Sequence, residues 1–255
     1  NASSVQIRGG WRWVLTDLSI WNYATINVTQ AVTKSNSSLV LNVTNLILYN
    51  ASIIPNPSQN LSNLSITAQH ILMDMSQIAN VTRLNISTTN MTMDVGSTIT
   101  TKGFGAETGP GAGPTGATEG NGSGGSHGGT GAPTWLPTEN PEISTESYGS
   151  TYGSAFNPVE LGSGGGGGGA APEVNGSLGG GLVFIEAGLM NISGNLSVDG
   201  FGDQDGGGGS GGSINIVTDV IDGQGYFLAR GRGGTGEGGG GGRIMIKYNT
   251  SLIND

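Results

Sequence analysis

A chain of 255 residues with fifty glycines, no cysteine, 11% charged residues and a net charge of −9 excludes several classes at once. It has no disulfide framework and no basic surface for nucleic acid or an anionic membrane. It also has no apolar run near the about twenty residues of a membrane-spanning helix. Such a length allows one large domain or two small ones, and its stability must come from a sizeable core or from repetitive backbone pairing.

The chain opens on Asn1-Ala2-Ser3, with no leader pattern, and reads as a mature or excised segment of a longer precursor. Residues 1–100 are rich in Asn, Thr, Ser, Ile, Leu and Met. They alternate apolar and polar in short runs: Leu39 to Val43, Leu64-Ser65-Ile66, Ile71-Leu72-Met73, Leu84-Asn85-Ile86 and Met91 to Val95. Period-two alternation predicts β-strands, here of three to five residues, and no helical period is sustained over three turns. Trp11, Trp13 and Trp21 are expected to cover one end of a core rather than form a sugar-stacking platform. Met73, Met75, Met91 and Met93 are expected to fill gaps in that core.

Residues 103–181 are dominated by Gly, Pro, Ser and Thr, with six consecutive glycines at Gly164 to Gly169, and are expected to be excursion loops. The span from Pro133 to Pro158 should lie over the body of the fold.

Residues 182–255 carry an internal repeat. Gly181-Leu182-Val183-Phe184-Ile185 matches Gly212-Ser213-Ile214-Asn215-Ile216 at an offset of 31, and Leu189, Gly194, Leu196 and Gly200 match Val220, Gly225, Phe227 and Gly231. A further step of 30 reaches Gly242-Arg243-Ile244-Met245-Ile246, and Ile99 to Gly105 echoes Leu196 to Gly202. A repeat of about three short strands cannot bury its own apolar face, so copies must stack. This predicts an all-β fold, a single parallel β-helix (solenoid) over residues 1–255, with glycine supplying positive φ at corners and longer tracts packing as layered backbone. An antiparallel sandwich would not give a long repeat interrupted by glycine tracts.

Fifteen of the twenty-two asparagines stand in Asn-x-Ser/Thr: Asn1, Asn27, Asn36, Asn42, Asn50, Asn60, Asn63, Asn80, Asn85, Asn90, Asn121, Asn175, Asn191, Asn195 and Asn249. Chance at this Ser/Thr content would give about four or five. In nine of them the middle residue is Val, Leu, Ile or Met. On a strand that pattern turns the apolar residue inward and leaves Asn and Ser/Thr on the outer face, where a bulky glycan can attach. The expectation is a secreted, heavily N-glycosylated chain.

The stretches Gly125-Ser126-His127-Gly128-Gly129-Thr130-Gly131, Tyr148-Gly149-Ser150 and Pro158 to Gly165 complete a pattern with Gly208 to Ile214 and Gly238 to Ile244. Together they resemble a glycine-rich extracellular family of plants, algae and other protists. The resemblance covers roughly residues 97–248, and the first ninety or so match only in style. It implies a right-handed parallel β-helix in a large secreted or cell-surface protein. By analogy it also points to mastigoneme-like surface filaments of algal cells.

Catalytic chemistry finds little support in the sequence. A glycoside hydrolase needs two carboxylates held about 5–9 Å apart, but Asp and Glu are sparse and no Asp-Asp pair occurs. A lyase needs a basic residue beside Asp ligands for calcium. Lys34, Lys102 and Lys247 are scattered, and salt bridges to Asp199, Asp203 or Asp205 would account for Arg230, Arg232 and Arg243. Those three aspartates are the one calcium candidate, but their spacing fits neither an EF-hand nor the nonapeptide repeat, and a solvated acidic corner is the preferred reading. No phosphate-loop motif occurs, and His70 and His127 read as structural or surface residues.

The function expected is therefore a non-enzymatic structural glycoprotein of an extracellular filament, cell surface or matrix. It would be a glycan-coated rod that stacks head to tail or meets other extracellular glycoproteins, with no cofactor beyond its glycans. A carbohydrate-binding or adhesive module is the alternative, followed by a polysaccharide lyase or hydrolase.

Overall fold

The computed structural model describes residues 4–8, 13–21, 25–29, 38–55, 62–113, 122–133, 149–167, 176–202, 206–233 and 237–251; in residues 4–29, at Pro55 and at Ser251 it describes the backbone alone. Among these residues there are strands and irregular segments but no helix. One parallel sheet holds, in spatial order, β1 (Ser4–Arg8), β3 (Thr25–Thr29), β5 (Ser52–Pro55), β7 (Gln77–Ala79), β9 (Thr98–Thr100), β11 (Asn195–Ser197) and β13 (Tyr226–Leu228). The other holds β2 (Trp13–Trp21), β4 (Ser38–Tyr49), β6 (Asn63–Asp74), β8 (Arg83–Met93), β10 (Leu182–Ile192), β12 (Ser213–Asp222) and β14 (Arg243–Ser251). Successive strands alternate between the sheets, an arrangement consistent with a parallel β-helix.

Register explains the stability of the stack. Leu64, Leu84, Val183 and Ile214 follow one another across the long sheet, as do Ile66, Ile86, Ile185 and Ile216. Across the short sheet run Ile53, Ile78, Ile99 and Leu196. All of these side chains are at most 2% exposed, and each fully buried aliphatic side chain contributes about 1.5–3 kcal/mol. The strands that the repeat aligns lie side by side: Val183 beside Ile214 and Leu196 beside Phe227, both 31 residues apart.

Strand number and length differ from expectation. Each repeat has two strands, not three, and the long ones run to 12 residues because two alternating runs join across a bend. In β6 the buried positions are Leu64, Ile66 and Ala68, then Ile71 and Met73, a step of three where alternation demands two. The same slip separates Thr88 from Met91, Ala187 from Met190 and Thr218 from Ile221. The hydroxyls compensate the bend: the single O–H of Thr88 is shared between Gln69 O and Asn90 O, and that of Thr218 between Gly188 O and Val220 O, at 3.0–3.2 Å.

One residue reading needs correction, and the glycine reading divides into its two parts. Met73, Met91 and Met93 are fully buried, but Met75 is 65% exposed, since it takes a left-handed corner (φ 46°) with its side chain outward. Only Gly96, Gly103, Gly109, Gly153 and Gly223 among the described glycines have positive φ, and Asn50 and Asn80 also serve as left-handed corners. Most of the other described glycines are there for a different reason: a Cβ would strike a neighbouring backbone.

Those glycines build a second kind of interior. Gly162 and Gly165 donate to Gly180 O and Ser177 O, three residues apart on one neighbour. Ser163 and Gly166 accept from Ser210 and Gly207, three apart on another. Ala106 and Gly113 donate to Gly162 O and Gly164 O, and Gly166 donates to Ser123 O. A strand in a sheet has two hydrogen-bonded neighbours; residues 162–166 have more, on several sides. Bonds to one neighbour recur every three residues, and without Cβ atoms the segments pack backbone to backbone as a bundle. This bundle draws on residues 101–113, 122–132, 149–167 and 176–181 and on the links 198–212 and 229–242.

Candidate functional site

The sequon asparagines that lie within strands fall on the outer faces wherever their side chains are described. Val43, Leu64, Ile86, Met91, Ile192 and Leu196, the middle residues after Asn42, Asn63, Asn85, Asn90, Asn191 and Asn195, are buried at 0–8% exposure. The asparagines themselves are half-buried or exposed, with Asn195 and Asn249 exposed outright. Asn50 and Asn80 occupy the left-handed corners instead. Asn27 lies in β3, where only backbone is described; Asn1, Asn36, Asn60, Asn121 and Asn175 lie outside the described residues. Several amides are held in place: Asn63 Nδ2 donates to Ser38 Oγ at 3.3 Å, Asn90 Nδ2 stands 3.1 Å from His70 Nδ1, and Asn249 Nδ2 donates to Asp219 Oδ1 at 2.8 Å.

Outside the bend of the long strands lies a cleft of about 330 Å³, lined by Ser87, Thr89, Glu186, Gly188, Val217 and Asp219 among others. Sequence reasoning missed it, because Glu186 and Asp219 are distant in sequence and come to line one cleft only through the register of β10 with β12, which sets Glu186 beside Val217. The lining mixes polar side chains with Ala187 and Val217 and carries no aromatic ring. Both carboxylates are exposed, so neither sits in the dry pocket that prepares a general acid.

Asp199 is the one buried carboxylate described, at 1% exposure. Its Oδ2 accepts from Arg230 Nη2 at 2.7 Å and Arg232 Nη2 at 2.8 Å, and its Oδ1 accepts from Arg230 N at 2.8 Å. Burial opposes its ionised form, but the hydrogen bonds from Arg230 and Arg232 outweigh burial and hold the carboxyl below its ordinary range. These arginines thus pair with Asp199. Asp203 and Asp205, the other two of the calcium candidates, lie outside the described residues. No group of three or more His, Asp or Glu able to hold a metal occurs among the described residues. Arg243 is used elsewhere: its Nε donates to Tyr152 O at 2.9 Å.

His127 is fully buried in the glycine bundle. Its Nδ1 lies 2.8 Å from Gly211 O, its ring stacks on Tyr152 with centroids 4.7 Å apart, and its Nε2 has no hydrogen-bond partner. Burial lowers its pKa, against the Gly211 carbonyl that raises it, and nearby Arg243 lowers it further. The ring is therefore neutral, with Nδ1–H donating to Gly211 O. Around it Ser210 Oγ accepts from Ser163 N at 2.8 Å and so links neighbouring bundle segments, while Ser126 Oγ accepts from Gly131 N at 2.9 Å within its own segment. His70, by contrast, is exposed on β6. A strap runs over the outer face of the long sheet, with Ser213 Oγ donating to Glu160 O, Asn215 Nδ2 to Asn157 Oδ1 and Arg83 Nη1 to Val159 O. Pro158 is thereby buried, while residues 134–148 of that excursion lie outside the described residues.

Comparison with protein-family models, with curated proteins and with solved structures yields no match.

Proposed function

We propose that the chain is a right-handed parallel β-helix and a non-enzymatic structural glycoprotein of an extracellular filament, cell surface or matrix. In this reading it is a rod whose outer asparagines carry N-linked glycans and whose ends associate with further copies or with other extracellular glycoproteins. One observation carries the reading: at six strand sequons the apolar middle residue is buried while the asparagine is not. A sequence selected only for polar strand faces has no reason to place Ser or Thr two residues after so many outward asparagines. The resemblance to the glycine-rich extracellular family supports the same reading.

The test is intact glycopeptide mass spectrometry on protein from its native source. Occupancy is expected at Asn42, Asn85, Asn191, Asn195 and Asn249; bare asparagines at these positions would overturn it. A carbohydrate-active cleft is the second reading, favoured by Glu186 and Asp219 on adjacent strands. It requires that Glu186→Gln or Asp219→Asn abolish binding or cleavage of an acidic or neutral polysaccharide.

A further inference from the structure

Three aromatic residues stand on the outer faces of strands whose side chains are described, and each has a sequon asparagine beside it. Tyr49 immediately precedes Asn50 in the chain. Phe184 lies next to Asn85 in the register of β10 with β8, and Tyr226 next to Asn195 in that of β13 with β11. The other aromatic residues of these strands, Phe227 and Tyr248, take inward positions beside the buried Leu196 and Thr218. An exposed tyrosine by itself needs no explanation; its place beside a sequon does.

Of the three, the Asn195–Tyr226 pair has the open surface. Phe184 is half-buried, and the strap crosses its neighbour Asn215 through Asn157 and Pro158. Asn50 takes a left-handed corner and not a strand position. Asn195 is exposed and Tyr226 is 66% exposed. Neither the Asn195 amide nor the Tyr226 hydroxyl has a hydrogen-bond partner among the described residues, unlike the tethered amides of Asn63, Asn90 and Asn249.

The backbone fixes where the two side chains stand. Asn195 N donates to Ser97 O at 3.0 Å and Tyr226 N to Gly194 O at 3.1 Å. The glycines that enter the two strands are closely packed: a Cβ on Gly194 would strike Ser97 O, and one on Gly225 would strike Gly194 O. Leu196 and Phe227 turn inward, so Asn195 and Tyr226 share the outer face one strand spacing apart, about 4.8 Å. On its other flank Asn195 has Thr98, which offers no apolar plane. A pyranose linked to Asn195 Nδ2 carries C–H bonds on its faces and polar groups around its rim. Such a face is apolar and slightly positive, and it complements the negative face of an aromatic ring. Because the ring lies on one flank only, the sugar has one direction in which to settle.

We propose that Tyr226 is the platform for an N-linked glycan on Asn195: the innermost sugar, an N-acetylglucosamine, lies across from β11 to β13 and stacks one face on the phenol ring. That glycan then ties together two layers whose contacting residues are 31 apart in the chain, and does not merely coat them. The pairing depends on the register of β11 with β13 and on nothing beyond β13. The inference rests on the glycoprotein reading and states what one of its glycans touches.

A double-mutant cycle tests it on the chain secreted by a eukaryotic host: wild type, Asn195→Gln, Tyr226→Ala and the two together, with occupancy read by glycopeptide mass spectrometry and stability by thermal melting. The sugar is transferred to the unfolded chain, so Asn195 should be equally occupied with and without Tyr226. Asn195→Gln should lower the melting temperature of the wild type by about 2–4 °C, the shift expected of one aromatic contact in a chain of this size. In Tyr226→Ala it should lower it by nothing beyond error, whereas Tyr226→Phe, which keeps the ring face, should keep the shift. Proton NMR with labelled N-acetylglucosamine supplies the readout that a purely structural tyrosine would not move. The innermost sugar's ring protons should be displaced upfield by the ring current in the wild type and in Tyr226→Phe, and not in Tyr226→Ala. An equal loss on Asn195→Gln with and without the tyrosine, or sugar protons indifferent to Tyr226, would overturn the platform and leave the glycan standing. A bare Asn195 in the wild type would overturn both the platform and, at this site, the glycoprotein reading, so the two failures are told apart.

Discussion

The apolar interior between the two sheets and the glycine bundle beside it solve one problem in opposite ways. Between the sheets, backbone groups pair with two neighbours and side chains such as Ile86, Ile185 and Ile216 exclude water by filling volume. In the bundle there is almost no side chain to bury, and Gly162 to Gly166 exclude water by bringing backbones from several sides into hydrogen-bond contact. The first interior tolerates changes in shape better than changes in polarity. The second should tolerate no added atom wherever a Cβ would meet a carbonyl already fixed by its own hydrogen bonds.

That contrast is broken or kept by one pair of glycine substitutions. Gly180→Val would overlap Val198 O, a group already accepting from Gly212 N at 2.7 Å. It should cost about 4 kcal/mol or more, among the largest single-residue effects, while Gly238→Ala, with no described atom within 4 Å, should leave the urea midpoint within error of the wild type. Equal effects at the two positions would mean that the bundle is not close-packed. In the apolar interior, Ile86→Ala should cost about 2–5 kcal/mol, read from the same urea titration; a smaller loss would show that the columns repack around a void.

The two interiors also respond differently to acid. His127 belongs to the bundle alone, and burial lowers its pKa from the ordinary value near 6.5. The sign follows from proton uptake: below about 6.5 the unfolded chain binds a proton that the folded ring refuses, so stability is full above that pH. It is lost as pH falls toward the lowered folded value. The charged groups near the ring are Glu160 and Arg243, with Tyr152 stacked on it. The melting temperature of the wild type should therefore fall as pH drops below about 6.5. In His127→Asn, whose amide can still donate to Gly211 O, that part of the fall should vanish. An unchanged slope in the variant would assign the acid response to another group.

The strand interior was the more legible of the two in sequence. Alternation at Leu64-Ser65-Ile66 and the 31-residue offset between Val183 and Ile214 both rest on side-chain identity, which sequence displays directly. The earlier layers hid their repeat because their steps are unequal: Leu39 to Leu64 is 25 residues, Leu64 to Leu84 is 20, and Leu84 to Val183 is 99, the last absorbing the whole glycine insertion. The bundle was legible only as composition. A glycine that gives way to a carbonyl and one that takes positive φ look identical in sequence, so layered backbone could be expected of the long tracts in general but not assigned to particular partners, and residues 162–166 were expected within an excursion loop. The outward sequons could be read because the apolar middle residue marks the inward face, whereas the Glu186–Asp219 cleft could not, since it depends on register.

The bend in the long strands gives the finest comparison, because it recurs with two chemistries. At the last buried position before the bend, β6 and β10 carry Ala68 and Ala187, and β8 and β12 carry Thr88 and Thr218. Each threonine reaches a carbonyl of the preceding layer and another two residues ahead, bonds that the ladder skips there. The alanine layers make the same bend without them, so the hydroxyl trims the cost of the bend and does not create it. Thr88→Val keeps the shape and removes both bonds, and should cost about 1 kcal/mol by urea unfolding. Thr88→Ala should cost slightly more, having lost a methyl as well, and Ala187→Thr should recover part of the loss if Thr89 O is as accessible to β10 as Gln69 O is to β8. A loss from Thr88→Val as large as that from Ile86→Ala would instead make the hydroxyl the cause of the bend, and the alanine layers would then need another explanation for following it.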